Sequence, residues 1–311
     1  MMPADPDDFP ISDAEVVRRT TTEGPHNLFG ETPAEMAQLD AWSRARPQRL
    51  AALPALFVLF IGYPRSGHSL TGALLDAHPE MAISHELDVL RFRKAGFSRD
   101  QILLLIAENS RRLGRLGRRW HPYDYSVPGA WQGRWDRLQV IGDKKGGETT
   151  RRLVLDPGAL EAFERFIDLP VRFIHVVRHP ADNIATMVRR SVEQPGKDHL
   201  FVSLNHYAAL AAANARLLDR LGPERSITLW HEDFVAAPEE ELARLCTFLG
   251  VGAPARYLSA AAGRVLPSAR QSRREIDWPP ERRQRLGGII ADTPFLRRYA
   301  ESALDLGPEQ P

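Results

Sequence analysis

One cysteine, Cys246, stands in a chain of 311 residues, so no disulfide can close within it and a reducing compartment is expected. No Cys/His spacing resembles a structural zinc site. Charge of one sign is also missing: 41 Lys plus Arg against 40 Asp plus Glu leave a formal +1, which offers nucleic acid and anionic membranes no global field. No apolar run approaches the ~18 residues of a spanning helix. The opening MMPADPDDFPISD has neither the basic start nor the apolar core of a targeting segment. These absences lead us to expect a soluble, cytoplasmic protein without a nucleic-acid partner or stable membrane insertion. Lysine is scarce too, only four of the 41 basic residues, so each one merits attention.

The rest of the composition, 43% hydrophobic and 26% charged, is that of a folded chain. Residues 1–31 mix Pro, Asp, Thr and Gly without periodicity and are expected to form a flexible N-terminal arm, with residues 32–311 making a single domain. Thr32-Pro33-Ala34-Glu35 is a capping-box signal with proline at the first helical position. Leu56–Ile61 is a continuous apolar run of the kind that forms a strand buried on both faces, and four shorter runs follow at 81–84, 138–141, 171–177 and 227–230. Amphipathic stretches at 69–77, 98–113, 157–167, 181–193, 200–221 and 238–249 read as helices, and a short final one is expected near 295–304. Strands alternating with helices predict an α/β, three-layer, P-loop-like fold around a five-stranded parallel sheet. Residues 267–285 are dense in arginine and interrupted by Trp278-Pro279-Pro280.

The first strand runs into Gly62-Tyr63-Pro64-Arg65-Ser66-Gly67-His68-Ser69, which has P-loop spacing without the P-loop lysine. His68 stands in its place, and Arg65 is the cation inside the loop. The missing lysine argues against ordinary ATP or GTP hydrolysis. Backbone N–H groups and the positive end of the next helix still form an anion site, with Arg65 and Ser69 adding charge-assisted hydrogen bonds. A metal-binding acid after a later strand would mark a kinase or NTPase; Asp143 is one candidate, whereas the strand ending at Val177 is followed by Arg178. Arg178 sits at a strand's carboxyl end, where open α/β sheets bind ligands, and Thr186 and Arg190 lie four residues apart on the following helix. A second phosphate fits between them.

Four segments in order resemble the sulfotransferases that use 3'-phosphoadenosine 5'-phosphosulfate (PAPS). YPRSGHSL at Tyr63–Leu70 is similar to their 5'-phosphosulfate loop, and FIHVVRHPADNIATMV at Phe173–Val188 to their 3'-phosphate motif. Ile141-Gly142-Asp143-Lys144 resembles the GDK segment, and Leu229–Val251 the helix that ends in FLG. The resemblance spans about residues 55–300 and implies a sulfotransferase-type fold, an enzyme of the PAPS-dependent class and a bacterial-type soluble member. Local wording is closest to the tyrosylprotein sulfotransferases, but Asp88 replaces an arginine of their peptide region, which makes peptide tyrosine a poor expectation for the acceptor.

Carried residue by residue, the resemblance implies Glu86 as base, and Arg65 and Lys144 as cations at the transferring group. The nucleotide would meet Arg65, Ser66, Gly67, His68, Ser69 and Leu70 at one phosphate and Arg178, Thr186 and Arg190 at the other. His231 aligns with an adenine-contacting tyrosine, and Ser272, Arg273 and Arg274 resemble a late loop that closes over the nucleotide. His85 and His68 are rivals to Glu86 as base, and His68 is also a catalytic candidate. No metal is expected. The aromatic cluster Trp120, Tyr123, Tyr125, Trp131 and Trp135 suggests an acceptor wall within a cap over residues 86–136, for a small-molecule, carbohydrate or lipid acceptor. A kinase-like phosphotransferase and a non-catalytic nucleotide-binding module are the alternatives, and a homodimer stays open.

Overall fold

The computed structural model describes residues 8–22, 27–46, 50, 52–191 and 198–302. Its elements in chain order begin with α1 (Asp13–Thr21), α2 (Pro33–Arg44), β1 (Leu56–Gly62), α3 (His68–Leu75), β2 (Met81–His85), α4 (Val89–Lys94) and α5 (Arg99–Leu116). A short hairpin β3 (Arg119–Trp120) and β4 (Tyr123–Asp124) precedes β5 (Val140–Lys144), α6 (Gly147–Leu155), α7 (Ala159–Ile167), β6 (Val171–Val177) and α8 (Pro180–Arg189). The chain continues through α9 (His199–Leu221), β7 (Ser226–Trp230), α10 (His231–Ala236), α11 (Pro238–Leu249), α12 (Ala255–Ala262) and α13 (Pro280–Asp292). Single 3-10 turns at Ser272–Glu275 and Pro294–Tyr299 flank α13.

The five long strands form one parallel sheet in the order β2-β5-β1-β6-β7. β1 lies at its centre and is buried along its whole length, as a two-faced apolar run requires. Because side chains alternate across a strand, Phe57, Leu59 and Ile61 enter one hydrophobic cluster with α2, α5 and α7, whereas Leu56, Val58 and Phe60 enter another with α3 and α11. A third cluster joins α8, α9 and α13. Gly142 on β5 is required by close approach: a Cβ there would meet the Val58 carbonyl at 2.2 Å.

All five expected strands are present, with one shift of consequence. The third was expected at 138–141 but forms at Val140–Lys144, so Asp143 and Lys144 are buried strand residues. Ser98 caps α5 in a capping box, and Thr32 accepts the Glu35 N–H at 3.2 Å at the start of α2. The expected helix at 157–167 is preceded by a separate one, α6, and residues 192–193 of the expected 181–193 helix lie outside the described residues, as do 303–304 of the last.

Two segments of the domain expectations are packed as follows. Residues 1–7 and 23–26 of the expected arm lie outside the described residues, but the rest of it is anchored. Phe9, Ile11 and Val16 around α1, with Leu28 and Phe29 after it, are buried in the first hydrophobic cluster, and Arg112 of α5 pairs with Asp13 at 2.6 Å. Within 86–136 the elements divide. Helix α5 buries Ile102 to Ile106 in the core, and only the excursion around β3 and β4 reaches the cavity described next.

Candidate active site

Parallel strands deliver their carboxyl ends to one edge of the sheet, and here each end delivers a site residue. Glu86 follows β2, Lys144 ends β5, the glycine loop follows β1, Arg178 follows β6 and His231 follows β7. A cavity of about 1250 Å³ opens there, lined by Arg65, Gly67–Leu70, Glu86, Lys144, Arg178, Thr186, Arg190, His231 and Ser272 among others.

The glycine loop is held from below. The Gly62 N–H donates to Thr150 Oγ1 at 3.1 Å, and Asn214 bridges Thr150 Oγ1 and the Gly62 carbonyl. Gly67 takes φ 105°, a region open to glycine, and a Cβ on it would lie 2.9 Å from Nδ1 of His231. Arg65 has no hydrogen-bond or ion-pair partner among the described residues; desolvation and the nearby Arg190 charge both depress its pKa. A cation left unpaired next to a second cation is the electrostatics of a site made for an anion.

At the end of β6, Arg178, Thr186 and Ser272 come together. Arg178 donates to Thr186 Oγ1 at 3.2 Å, to Ser272 Oγ at 3.3 Å and to the Arg270 carbonyl, while its Nε is buried without a partner. Thr186 Oγ1 also lies 3.2 Å from Ser272 Oγ. The two sites are linked, because Asn183 of α8 donates to the Pro64 carbonyl of the glycine loop at 2.7 Å.

At the other end of the cavity Glu86 sits between two lysines. Lys144 donates to its Oε1, and Lys145 Nζ lies 2.8 Å from Oε2. Burial opposes the charged carboxylate, but Lys144 and Lys145 outweigh it and hold Glu86 well below the ordinary carboxylate range. Burial depresses Lys144, against the pull of Glu86, and its ammonium also donates to Ser69 Oγ at 3.1 Å. Arg65, Glu86 and Asp88 take left-handed φ values of 68°, 57° and 67°, which non-glycine residues adopt only when their surroundings enforce it. Asp143 supplies part of that enforcement. It accepts from Ser84 Oγ at 2.8 Å and from the backbone N–H groups of Leu87, Asp88 and Val89 at 3.3, 2.8 and 3.1 Å. Burial pushes its carboxyl up to about 6. Asp143 is thus spent on the Glu86 turn and does not line the cavity, so it is not placed to hold a nucleotide-bound metal.

Several expected site residues take other roles. The Ser66 hydroxyl is buried, donates to the Tyr63 carbonyl at 3.0 Å and meets His68 Nδ1 at 3.0 Å, leaving only its backbone for an anion. His68 Nε2 pairs with the Ile61 carbonyl at 3.1 Å; burial pushes the ring down to about 4, so both nitrogens serve the loop rather than a substrate. Burial, then Lys144, keeps His85 neutral, and its ring lies against Trp120. Arg273 is buried on Asp182, to which its side chain and backbone N–H both donate, at 2.6 and 2.8 Å, so it fastens the 3-10 turn to α8. Arg274 is exposed and does not line the cavity. The aromatic cluster divides: Trp120, Tyr123 and Tyr125 line the cavity, whereas Trp131 and Trp135 pack elsewhere, under Arg134 and Arg111. Lys145, Arg151 and Arg152 were not expected but line it, and Arg152 pairs with Asp88 at 2.7 Å.

Comparison with known proteins finds the sulfotransferase family model matching residues 170–254, from the start of β6 through α11 and into the loop after it. Those residues carry Arg178, Thr186, Arg190 and His231. Over that stretch, about a quarter of the chain, the protein is similar to the sulfotransferase family. Among solved structures, the sulfotransferase domain of the Synechococcus PCC 7002 olefin synthase is 18% identical, covering 85% of this chain and 99% of that one with a TM-score of 0.44. A sulfotransferase from Alicyclobacillus acidocaldarius is 17% identical over 81% and 97% of the two chains, TM-score 0.43. A mouse sulfotransferase complexed with PAP is 11% identical over 87% and 92%, TM-score 0.46. Comparison with curated protein sequences gave no match. None of these relationships singles out the tyrosylprotein sulfotransferases, and among the described residues no helix is long and apolar enough to cross a membrane.

Proposed function

We propose that the chain is a sulfotransferase that takes its sulfuryl group from PAPS and moves it to a hydroxyl or amine of a small-molecule, carbohydrate or lipid acceptor. The observation that carries the reading is the pair of anion sites in one cavity, joined through Asn183 and Pro64, with the Arg65 guanidinium unpartnered at one and the Arg178 Nε orphaned at the other. An exposed guanidinium without a partner at one end and a buried Nε without an acceptor at the other fit a ligand with a phosphate at each end. Arg178, Thr186 and Ser272 would hold the 3'-phosphate. The backbone of Ser66–Ser69 with Arg65 would hold the 5' end, and His231 would lie beside the adenine.

The donor supplies an activated sulfuryl group; the chain supplies placement and charge. In the transfer, the bond from sulfur to the phosphate oxygen breaks, a bond from sulfur to the acceptor atom forms, and the acceptor's proton goes to Glu86. By analogy with phosphoryl transfer, a loose transition state puts charge on the leaving oxygen, where Arg65 and Lys144 stand ready. The acceptor proton leaves late in such a reaction, when the attacking atom has become acidic, so a carboxylate that stays ionised throughout the physiological range suffices as acceptor of that proton. Trp120, Tyr123 and Tyr125 would form one wall for the acceptor.

Calorimetric titration with adenosine 3',5'-bisphosphate (PAP), against ATP with Mg²⁺, tests the reading. Saturable PAP binding with no comparable ATP response is expected. Binding of ATP with Mg²⁺ in preference to PAP would contradict it.

A further inference from the structure

Two lysines hold the two oxygens of Glu86, and they are tethered in opposite directions. Lys144 Nζ reaches from Glu86 Oε1 to Ser69 Oγ in the glycine loop, toward the transferring group. Lys145 Nζ reaches from Oε2, at 2.8 Å, to Asn27 Oδ1, at 3.1 Å, on the segment before α2. One ammonium cannot serve both Glu86 and an incoming sulfuryl group at full strength. If Lys144 turns to the donor, a partly buried carboxylate in a left-handed turn loses one of its two lysine partners.

Building on the sulfotransferase reading, we propose that Lys145 is a positioning residue that keeps the Glu86 carboxylate aimed at the acceptor while Lys144 serves the transferring group. The pair divides one task between neighbouring residues, one at the end of β5 and one just after it. Scarcity fits this: half of the four lysines in the chain sit at these two adjacent positions. Burial works against the Lys145 charge, but Glu86, then Asp88 and Asp143, raise its pKa, so it remains a cation throughout. The other charged or titratable groups that face Glu86 are Arg65 from the glycine loop, His68 from α3 and His85 at the end of β2. Both histidines are kept neutral by burial, and Arg65 belongs to the donor site, which leaves Lys145 as the standing counter-charge.

The experiment removes Lys144 to mimic its diversion. Protein labelled with ¹³C at glutamate carboxyls is titrated by NMR, with the Glu86 resonance identified from Glu86→Gln. In Lys144→Met, Glu86 should still titrate at or below the ordinary ~4.3. In Lys144→Met/Lys145→Met its midpoint should rise by ~2 units or more, because burial then acts without a counter-charge, and Lys144→Met/Lys145→Arg should restore it. A midpoint in the double Met variant within ~0.5 unit of that in Lys144→Met overturns the proposal. A second readout uses Lys145→Met alone. Release of PAP from PAPS should fall ~10–100-fold at pH 6, with the deficit narrowing as pH rises to 9, and Lys145→Arg should recover most of it. A deficit equal at every pH means that Lys145 merely supports the fold. Wild-type protein that neither binds PAP nor releases it from PAPS overturns the sulfotransferase donor reading instead, and the Glu86 titration then judges Lys145 by itself.

Discussion

Replacing Arg178 by alanine isolates one end of the proposed ligand. Its guanidinium is mostly buried, donates to Thr186 Oγ1 at 3.2 Å and to Ser272 Oγ at 3.3 Å, and keeps Nε free for an anion. Truncating one partner of a buried, hydrogen-bonded charge pair costs about 2–4 kcal/mol, a ~30–1000-fold loss of affinity. That loss should fall on the 3'-phosphate alone. Titrating wild type and Arg178→Ala with PAP and with adenosine 5'-monophosphate closes a cycle in which the variant binds PAP ~30–1000-fold more weakly but the monophosphate within ~3-fold of wild type. Arg178 also holds the Arg270 carbonyl, so a loosened 3-10 turn is a competing cause. It would weaken both nucleotides, since Arg270, Ser272 and the glycine loop face one cavity. Equal weakening of both ligands, or of neither, would refute the assignment of Arg178 to the 3'-phosphate.

Lys144→Ala should lower kcat by about 10²–10³, corresponding to ~2.7–4 kcal/mol of lost charge stabilisation, and a drop under threefold in steady-state assays would remove it from the chemistry. Glu86→Gln should abolish turnover while calorimetric PAP affinity stays within ~3-fold, and normal transfer by that variant would put the base elsewhere. The third expectation concerns pH and the fold. His68 titrates near 4 in the folded state, below the ordinary 6.5, so its contribution is present above pH 6.5 and lost as pH falls toward 4. Between pH 7 and pH 4.5 wild type should therefore lose about 2–3 kcal/mol that His68→Gln does not, measured by urea unfolding, and identical pH dependence would show that the ring is not held neutral.

Much of the sheet was legible because β1 carries its signal in one unbroken apolar run and the later strands carry shorter apolar stretches. The glycine loop and the Arg178 element were legible because glycine spacing and a strand-end arginine are local signals. What escaped detection depended on distant partners. Asp143 and Lys144 look like loop residues by polarity, yet they are strand residues, because Ser84, three backbone N–H groups and Glu86 satisfy them. Helix α6 begins at Gly147 without a side-chain cap, so nothing in its first turn announces it. The arginines of the tail were indistinguishable in sequence; only the fold separates Arg273, paired with Asp182, from Arg270, which lines the cavity. Lys145 stood beside a residue already singled out, in a chain nearly without lysine, and its scarcity was the available signal.

The central claim is a transfer, and it is tested by following the label. Protein incubated with [³⁵S]PAPS and a panel of phenol, sugar and amine acceptors should release PAP and move the ³⁵S onto at least one acceptor, with Arg65→Ala and Lys144→Ala both deficient. Tight PAP binding with all label retained on PAPS across the panel and in water would mean that the cavity holds the nucleotide without catalysing its reaction.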